Sequence, residues 1–230
     1  MKIAIICSAG GSAFFTAYDI LIQTGRFECE DFIVVTDRAC QAEQNAKDRG
    51  ISYKRVEFES KSKFSQEVTD MLIEKQVTAA LMLYSRLVSS DLYLRLPTFN
   101  IHPALLPAFK GMKAINQVLE SGVKFLGATI HLTTEKVDDG QIIGQVSSPI
   151  EMNANKAWLD KLSFLQKTYL ILMFIDALQT GVLKIGKKGT VTHESKLLLS
   201  PSANPCVQTI DLRNLFENYQ TQQQMQGAIQ

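Results

Sequence analysis

Apolar runs of strand length alternate along this chain with segments of helical period, and that alternation leaves few folds open to it. Ile3–Cys7 is wholly apolar, reads as a strand buried on both faces, and is followed by the small-residue turn Ser8-Ala9-Gly10-Gly11-Ser12. A helix should then run to about Gln23, with Thr24-Gly25 as its stop. Phe32–Val35 reads as a second strand, Ala39–Arg49 as a polar helix closed by Gly50, and Tyr53–Phe58 as an edge-type strand. Phe64, Val68, Met71 and Leu72 share one helix face, and Thr78–Leu83 is another buried strand. This succession predicts an α/β fold: a Rossmann-like, doubly wound, mostly parallel sheet with helices on both faces. Such sheets bind ligands just beyond the carboxyl ends of their strands.

The second half is less regular. Thr98–His102 is short and strand-like, and Pro103-Ala104-Leu105-Leu106-Pro107 cannot continue as regular structure. A helix is expected from about Met112 to Leu119, ended by Ser121-Gly122. Phe125–Leu132 and Ile142–Val146 read as two strands joined through Glu135–Gly140. Trp158, Leu162, Leu165, Tyr169 and Leu172 form the buried stripe of a long helix that stops before Gly181, and Lys184–Thr192 reads as a basic hairpin. From Asn218 the chain is rich in Gln and reads as a weakly ordered tail. The organisation expected is one α/β domain over 1–200 and a C-terminal extension over 201–230, part helix or tail.

Composition narrows the partners. Lys plus Arg number 24 against 23 Asp plus Glu, for a net charge of +1. A protein built to grip a polyanion concentrates basic residues, so nucleic acid is not expected as a partner. The longest apolar run, Tyr169–Ile175, is far below the roughly 20 residues that span a bilayer. Cys7, Cys29, Cys40 and Cys206 show neither metal-site nor disulfide spacing, which argues against a metal and for a reducing, cytoplasmic setting. Small-molecule substrates are the expected partners, with the chain a monomer or a homodimer.

Three elements can carry chemistry. Asn100 and His102 are two apart at a strand end, so both side chains point to one face, ahead of a proline-pinned loop. An amide donor beside an imidazole suits a reaction that develops an oxyanion and moves a proton. The plainer alternative is that both satisfy loop backbone groups. Asp138, in Lys136-Val137-Asp138-Asp139-Gly140, can orient and charge His102, although Asp-Asp-Gly is also ordinary turn chemistry. The loop Gly10, Gly11, Ser12, Ala13 opens the first helix, where backbone N–H groups can cradle a phosphate. It matches neither a dinucleotide fingerprint nor a P-loop. His131, inside an apolar run, reads as a structural histidine, and Cys7 as core rather than nucleophile.

Together these elements resemble the folate-dependent formyltransferase family. The match runs through Asn100-Ile-His-Pro-Ala-Leu-Leu-Pro-Ala-Phe-Lys-Gly111, Glu120-Ser-Gly-Val-Lys124, Gly127-Ala-Thr-Ile-His131 and Val137-Asp-Asp-Gly-Gln-Ile-Ile143. The resemblance implies transfer of a formyl group from 10-formyltetrahydrofolate, with no metal, to the amine of glycinamide ribonucleotide. It implies Asn100, His102 and Asp138 as the catalytic residues, and Gly10, Gly11, Ser12 and Ala13 around the acceptor's phosphate. It places Ser85, Arg86, Leu87, Val88, Thr134 and Lys61 against the folate. The chain departs from the family pattern at Gly10 and Ala13, at Gln141, at Leu83-Tyr84, and at Lys167, where an acidic residue is expected near the substrate amine. Two alternatives stay open: an enzyme acting on another amine, such as a nucleotide-linked amino sugar, or hydrolysing formyl-folate; and a non-catalytic folate-binding relative.

Overall fold

The computed structural model describes residues 1–186, 190–193 and 198–227. Its centre is an eight-stranded sheet in the order β10-β7-β6-β5-β4-β1-β2-β3. Here β1 is Ile3–Cys7, β2 Phe32–Thr36, β3 Ser52–Arg55, β4 Ala79–Leu83, β5 Thr98–His102, β6 Phe125–Leu132, β7 Ile142–Pro149 and β10 Ala203–Asn204. From β3 through β2, β1 and β4 to β5 the neighbours run parallel. The pairs β5–β6, β6–β7 and β7–β10 are antiparallel. The wholly apolar β1 lies at the centre with every residue buried, as a strand covered on both faces must. The polar Ser52–Arg55 is exposed along its length and forms the edge.

Helices cover both faces. On one side α1 (Ser12–Leu21), α2 (Gln41–Asp48) and α6 (Lys156–Gln179) close a core around Phe14, Phe32, Phe99 and Phe174. On the other, α3 (Lys61–Glu74) and α4 (Ser90–Tyr93) pack Phe64, Val68 and Leu72 against Ile6, Ile33 and Met82. The helix α5 is Ala114–Ser121, starting two residues later than the sequence suggests, because Lys113 takes a left-handed φ of 62° as its N-cap. Strands β8 (Leu183–Ile185) and β9 (Val191–His193) form a separate antiparallel pair, and the expected basic turn between them falls partly on residues outside those described.

The C-terminal region departs from its sequence reading. Ile210–Gly227 is one helix, α7, that includes the Gln-rich stretch expected as a tail from Asn218. Leu212 and Phe216 are buried against the main core, so the polar end is continued from an anchored first half. The anchor is Asp176, fully buried on α6. Its Oδ2 accepts from the backbone N–H of Gln208 at 2.7 Å and of Thr209 at 3.0 Å, while its Oδ1 accepts from Arg26 Nη1 at 3.1 Å and Thr209 Oγ1 at 2.9 Å. Four donors on one carboxylate tie the extension to the body. No helix among the described residues is long and apolar enough to cross a membrane. Replacing Asp176 by Asn puts amide hydrogens against two backbone N–H groups, and should lower unfolding free energy by about 2–4 kcal/mol. Urea denaturation of the two proteins checks this, and equal midpoints would show that Asp176 anchors nothing.

Candidate active site

The direction of pairing changes at β5, and the site is built on that change. Antiparallel register sets Asn100 opposite His131 and His102 opposite Thr129. Residues directly across an antiparallel pair have neighbouring side chains. Asn100 Nδ2 therefore meets His131 Nε2 at 3.2 Å. His131 Nδ1 lies 3.0 Å from the Leu132 carbonyl and donates to it, which leaves Nε2 of the neutral ring to accept from Asn100. His131, read from the sequence as structural, is buried and hydrogen-bonded, and it also lines the cleft. The signal for it is the cross-strand partner of Asn100, visible only once the register is known.

Asp138 arrives from the β6–β7 connection with a left-handed φ of 53°. Gly140, two residues on, has no room for a side chain: a Cβ there would collide with the Leu132 carbonyl. This path brings Asp138 Oδ2 to 3.3 Å from His102 Nδ1 and Oδ1 to 3.4 Å from His131 Nε2. Oδ2 also accepts from the Gly111 backbone N–H at 2.8 Å. His102 Nε2 donates to the Phe109 carbonyl at 2.8 Å, so both of its nitrogens face acceptors, an environment filled completely by the imidazolium. Burial by itself raises the pKa of Asp138. The close approach of His131, the Gly111 N–H and the imidazole of His102 outweigh it and hold the carboxyl below its ordinary 3.8.

These residues line a cleft of about 520 Å³. Asn100, His102, His131 and Asp138 line it together with Lys61, Ser85, Arg86, Leu87, Val88 and Thr134. Arg86 does not point freely into the space: its Nε pairs with the buried Asp37 at 2.9 Å, and its guanidinium stacks 4.2 Å from the Phe58 ring centre. Lys113 and Lys136 add positive charge to the lining, and Met82 and Met112 add apolar surface.

Gly10, Gly11, Ser12 and Ala13 are not part of this lining and sit at the start of α1 instead. Gly11 is the N-cap at a left-handed φ of 62°, and no side chain caps the helix, so first-turn N–H groups are left without a side-chain partner. A Cβ on Gly11 would crowd Phe15 at 3.1 Å and Cys7 at 3.4 Å. The two regions touch through Ser8, whose Oγ lies 2.8 Å from Ser85 Oγ and accepts from the Ser85 backbone N–H at 3.1 Å. They follow β1 and β4, neighbours whose connections diverge to opposite faces, the usual ligand position in such sheets. Lys167 lies outside the cleft lining, and burial pulls its pKa below the ordinary lysine value. Cys7 is fully buried, and burial, with Cys40 and Asp37 nearby, pushes its thiol up to about 12, so it supplies no thiolate.

Because the folded pKa of Asp138 is lowered, its contribution to stability is full above its unfolded value and is lost as pH falls through the folded one. The stability gap between the parent and Asp138→Asn should therefore be wide at about pH 7 and narrow toward about pH 3. Denaturant titrations at the two pH values measure it, and an unchanged gap would contradict the lowered pKa.

A model of the formyl transferase family matches residues 1–172, which include the whole of this cleft. The chain is 32% identical over 164 residues to the chloroplastic phosphoribosylglycinamide formyltransferase of Vigna unguiculata, covering 66% of this chain and 52% of that protein. It is 32% identical over 146 residues to the mitochondrial formyltetrahydrofolate deformylase 2 of Arabidopsis thaliana, covering 62% of this chain and 44% of that one. The chain spans about half or less of the length of these curated relatives. Among solved structures it resembles glycinamide ribonucleotide transformylase 1 from Symbiobacterium toebii, with a TM-score of 0.73, 27% identity, and coverage of 82% of this chain and 92% of that one. A sheet that reverses direction at β5, an Asn-His-Asp cluster held at that reversal and a family match across three quarters of the sequence agree: the chain belongs to the formyl transferase family.

Proposed function

We propose that the chain transfers a formyl group from 10-formyltetrahydrofolate to the amine of glycinamide ribonucleotide. The convergence of Asn100, His102 and Asp138 on one cleft carries this reading. In the transfer, the acceptor nitrogen bonds to the formyl carbon, the bond from that carbon to the folate nitrogen breaks, and one proton passes from the acceptor amine to the leaving nitrogen. Charge collects on the formyl oxygen between these events. Asn100 Nδ2 has two hydrogens, and its contact with His131 occupies one, so the other is available to that oxygen. His102, when protonated, supplies a second donor and a proton source, and Asp138 at 3.3 Å aims it. For this, Nε2 of His102 exchanges the Phe109 carbonyl for the substrate, a change of partner common between free and occupied sites.

The residues fit a folate. Leu87, Val88 and Met82 offer apolar surface to a flat ring system, and Lys61, Lys113 and Lys136 suit the carboxylates of its glutamate end. On the acceptor side, the uncapped start of α1 at Gly10–Ala13 suits a phosphate. A relative named as a phosphoribosylglycinamide formyltransferase and a structure named as a glycinamide ribonucleotide transformylase support this acceptor.

One observation favours a second reading. The resemblance leads one to expect an acid near the substrate amine at the position of Lys167, which lies outside the cleft lining, and a lysine charge near that amine would repel it if cationic. A similar protein is named as a formyltetrahydrofolate deformylase, so formyl-folate hydrolysis is the runner-up.

Purified protein with 10-formyltetrahydrofolate separates the two. Formyl transfer that requires glycinamide ribonucleotide supports the first reading. Formate release without acceptor, unchanged when the ribonucleotide is added, supports the second and refutes the first. His102→Ala and Asp138→Ala should each lower kcat by about 100-fold or more. Turnover near that of the parent in either variant would overturn the assigned roles.

A further inference from the structure

Asp37 directly follows β2 at the carboxyl end of the parallel strands, is 2% exposed and does not itself line the cleft. A carboxylate shut away from water is kept only with donors around it. Three residues supply them. Arg38 brings Nε to Oδ1 at 2.8 Å and Nη2 to Oδ2 at 2.6 Å. Tyr84 donates its hydroxyl to Oδ2 at 3.3 Å, and Arg86 Nε lies 2.9 Å from the same oxygen. Formyl transfer as derived above uses none of these contacts.

The two arginines are held differently. Arg38 takes both carboxylate oxygens in a fork, and its charge alone balances that of Asp37. Arg86 joins as a second cation, and among the described residues its ion pair is made through Nε. A guanidinium has five N–H donors, so its outer edge keeps both its hydrogens and its charge. That side chain is 40% exposed and lines the cleft. The ring beneath it is placed by the same residue: the Phe58 backbone N–H donates to the Asp37 carbonyl at 3.3 Å, and Arg86 sits 4.2 Å from the Phe58 ring centre. Asp37 thus sets both the hydrogen-bond partner and the stacking partner of Arg86.

A guanidinium edge matches a carboxylate with two parallel hydrogen bonds, a geometry that a lysine cannot offer. An unrestrained arginine loses much side-chain freedom when it closes on such a group, whereas one already clamped and stacked does not. The folate proposed for this cleft ends in a glutamate with two carboxylates. We propose that Asp37 is a positioning residue for that end of the molecule: it holds Arg86 on Phe58 so that the guanidinium edge meets a glutamate carboxylate. The inference rests on the reading of the cleft as a folate site.

Calorimetric titration of the full chain with 10-formyltetrahydrofolate, and with its diamide in which both glutamate carboxylates are neutral carboxamides, tests the assignment. Asp37→Asn should weaken folate binding about tenfold or more and leave the weaker diamide within about twofold of the parent. Phe58→Leu should weaken folate binding about threefold, again sparing the diamide. In the transfer assay both variants should raise KM for the folate and keep kcat within about twofold. A folded variant of either kind that binds folate like the parent, or that loses folate and diamide equally, would overturn the proposal. Phe58 is half-buried, so its variant keeps the test open if Asp37→Asn fails to fold. The titration needs no acceptor, so a parent that binds folate and transfers nothing to glycinamide ribonucleotide unseats that acceptor, and the role of Asp37 is still decided by the variants. A parent that binds no folate refutes the folate reading of the cleft and this inference together.

Discussion

The carboxylate of Asp138 is the point on which the site closes. It touches His102 with one oxygen and His131 with the other, and it takes the Gly111 N–H on the side of His102. Three pieces of chain are thereby held at fixed distances: the end of β5, the end of β6 with the loop that follows it, and the loop that leads to α5. A charge buried this deeply is tolerated only with such partners around it. The dependence runs both ways, because the two histidines keep their orientation through the same carboxylate.

What makes this possible is the change from parallel to antiparallel pairing beside β5. In the parallel half, strand ends open toward loops and helix starts, which is where a phosphate or a flat ring can be met by backbone groups. In the antiparallel half, side chains from neighbouring strands face each other directly, which is where a close arrangement of catalytic groups can be assembled. The cleft draws Ser85–Val88 from beyond β4 on the parallel side and His131 and Asp138 from the antiparallel side.

Most of the parallel half was legible in the sequence, because β1, β2 and β4 are short and almost wholly apolar. Thr98–His102 reads correctly at both ends, bounded by a proline on either side. The sequence leaves out the partners of His131 for a physical reason: they come from the residue opposite it across a sheet, and pairing register leaves no trace in local composition. The C-terminal extension was left open as part helix or tail. Its Gln-rich end suggests disorder, yet Leu212, Leu215, Phe216 and Tyr219 follow helical spacing, and the anchor at Asp176 lies 32 residues before Gln208. Arg86 shows a third limit. Sequence position brings it to the cleft, but only the buried Asp37 determines where its guanidinium points.

The loop that delivers Asp138 divides its residues by what they are free to become. Gly140 has no space for a single added carbon, and Asp138 occupies a backbone region that most side chains avoid, so the course of the chain here is settled by sterics before any catalytic demand is made of it. Between and before them, Lys136 and Val137 are exposed and Asp139 reaches outward to Lys110. Substitution can thus remodel the face this loop turns to an incoming molecule while leaving the carboxylate where it is. A family that keeps one reaction and varies its acceptors would find its freedom in those outward positions, with the path between β6 and β7 as the part that cannot drift.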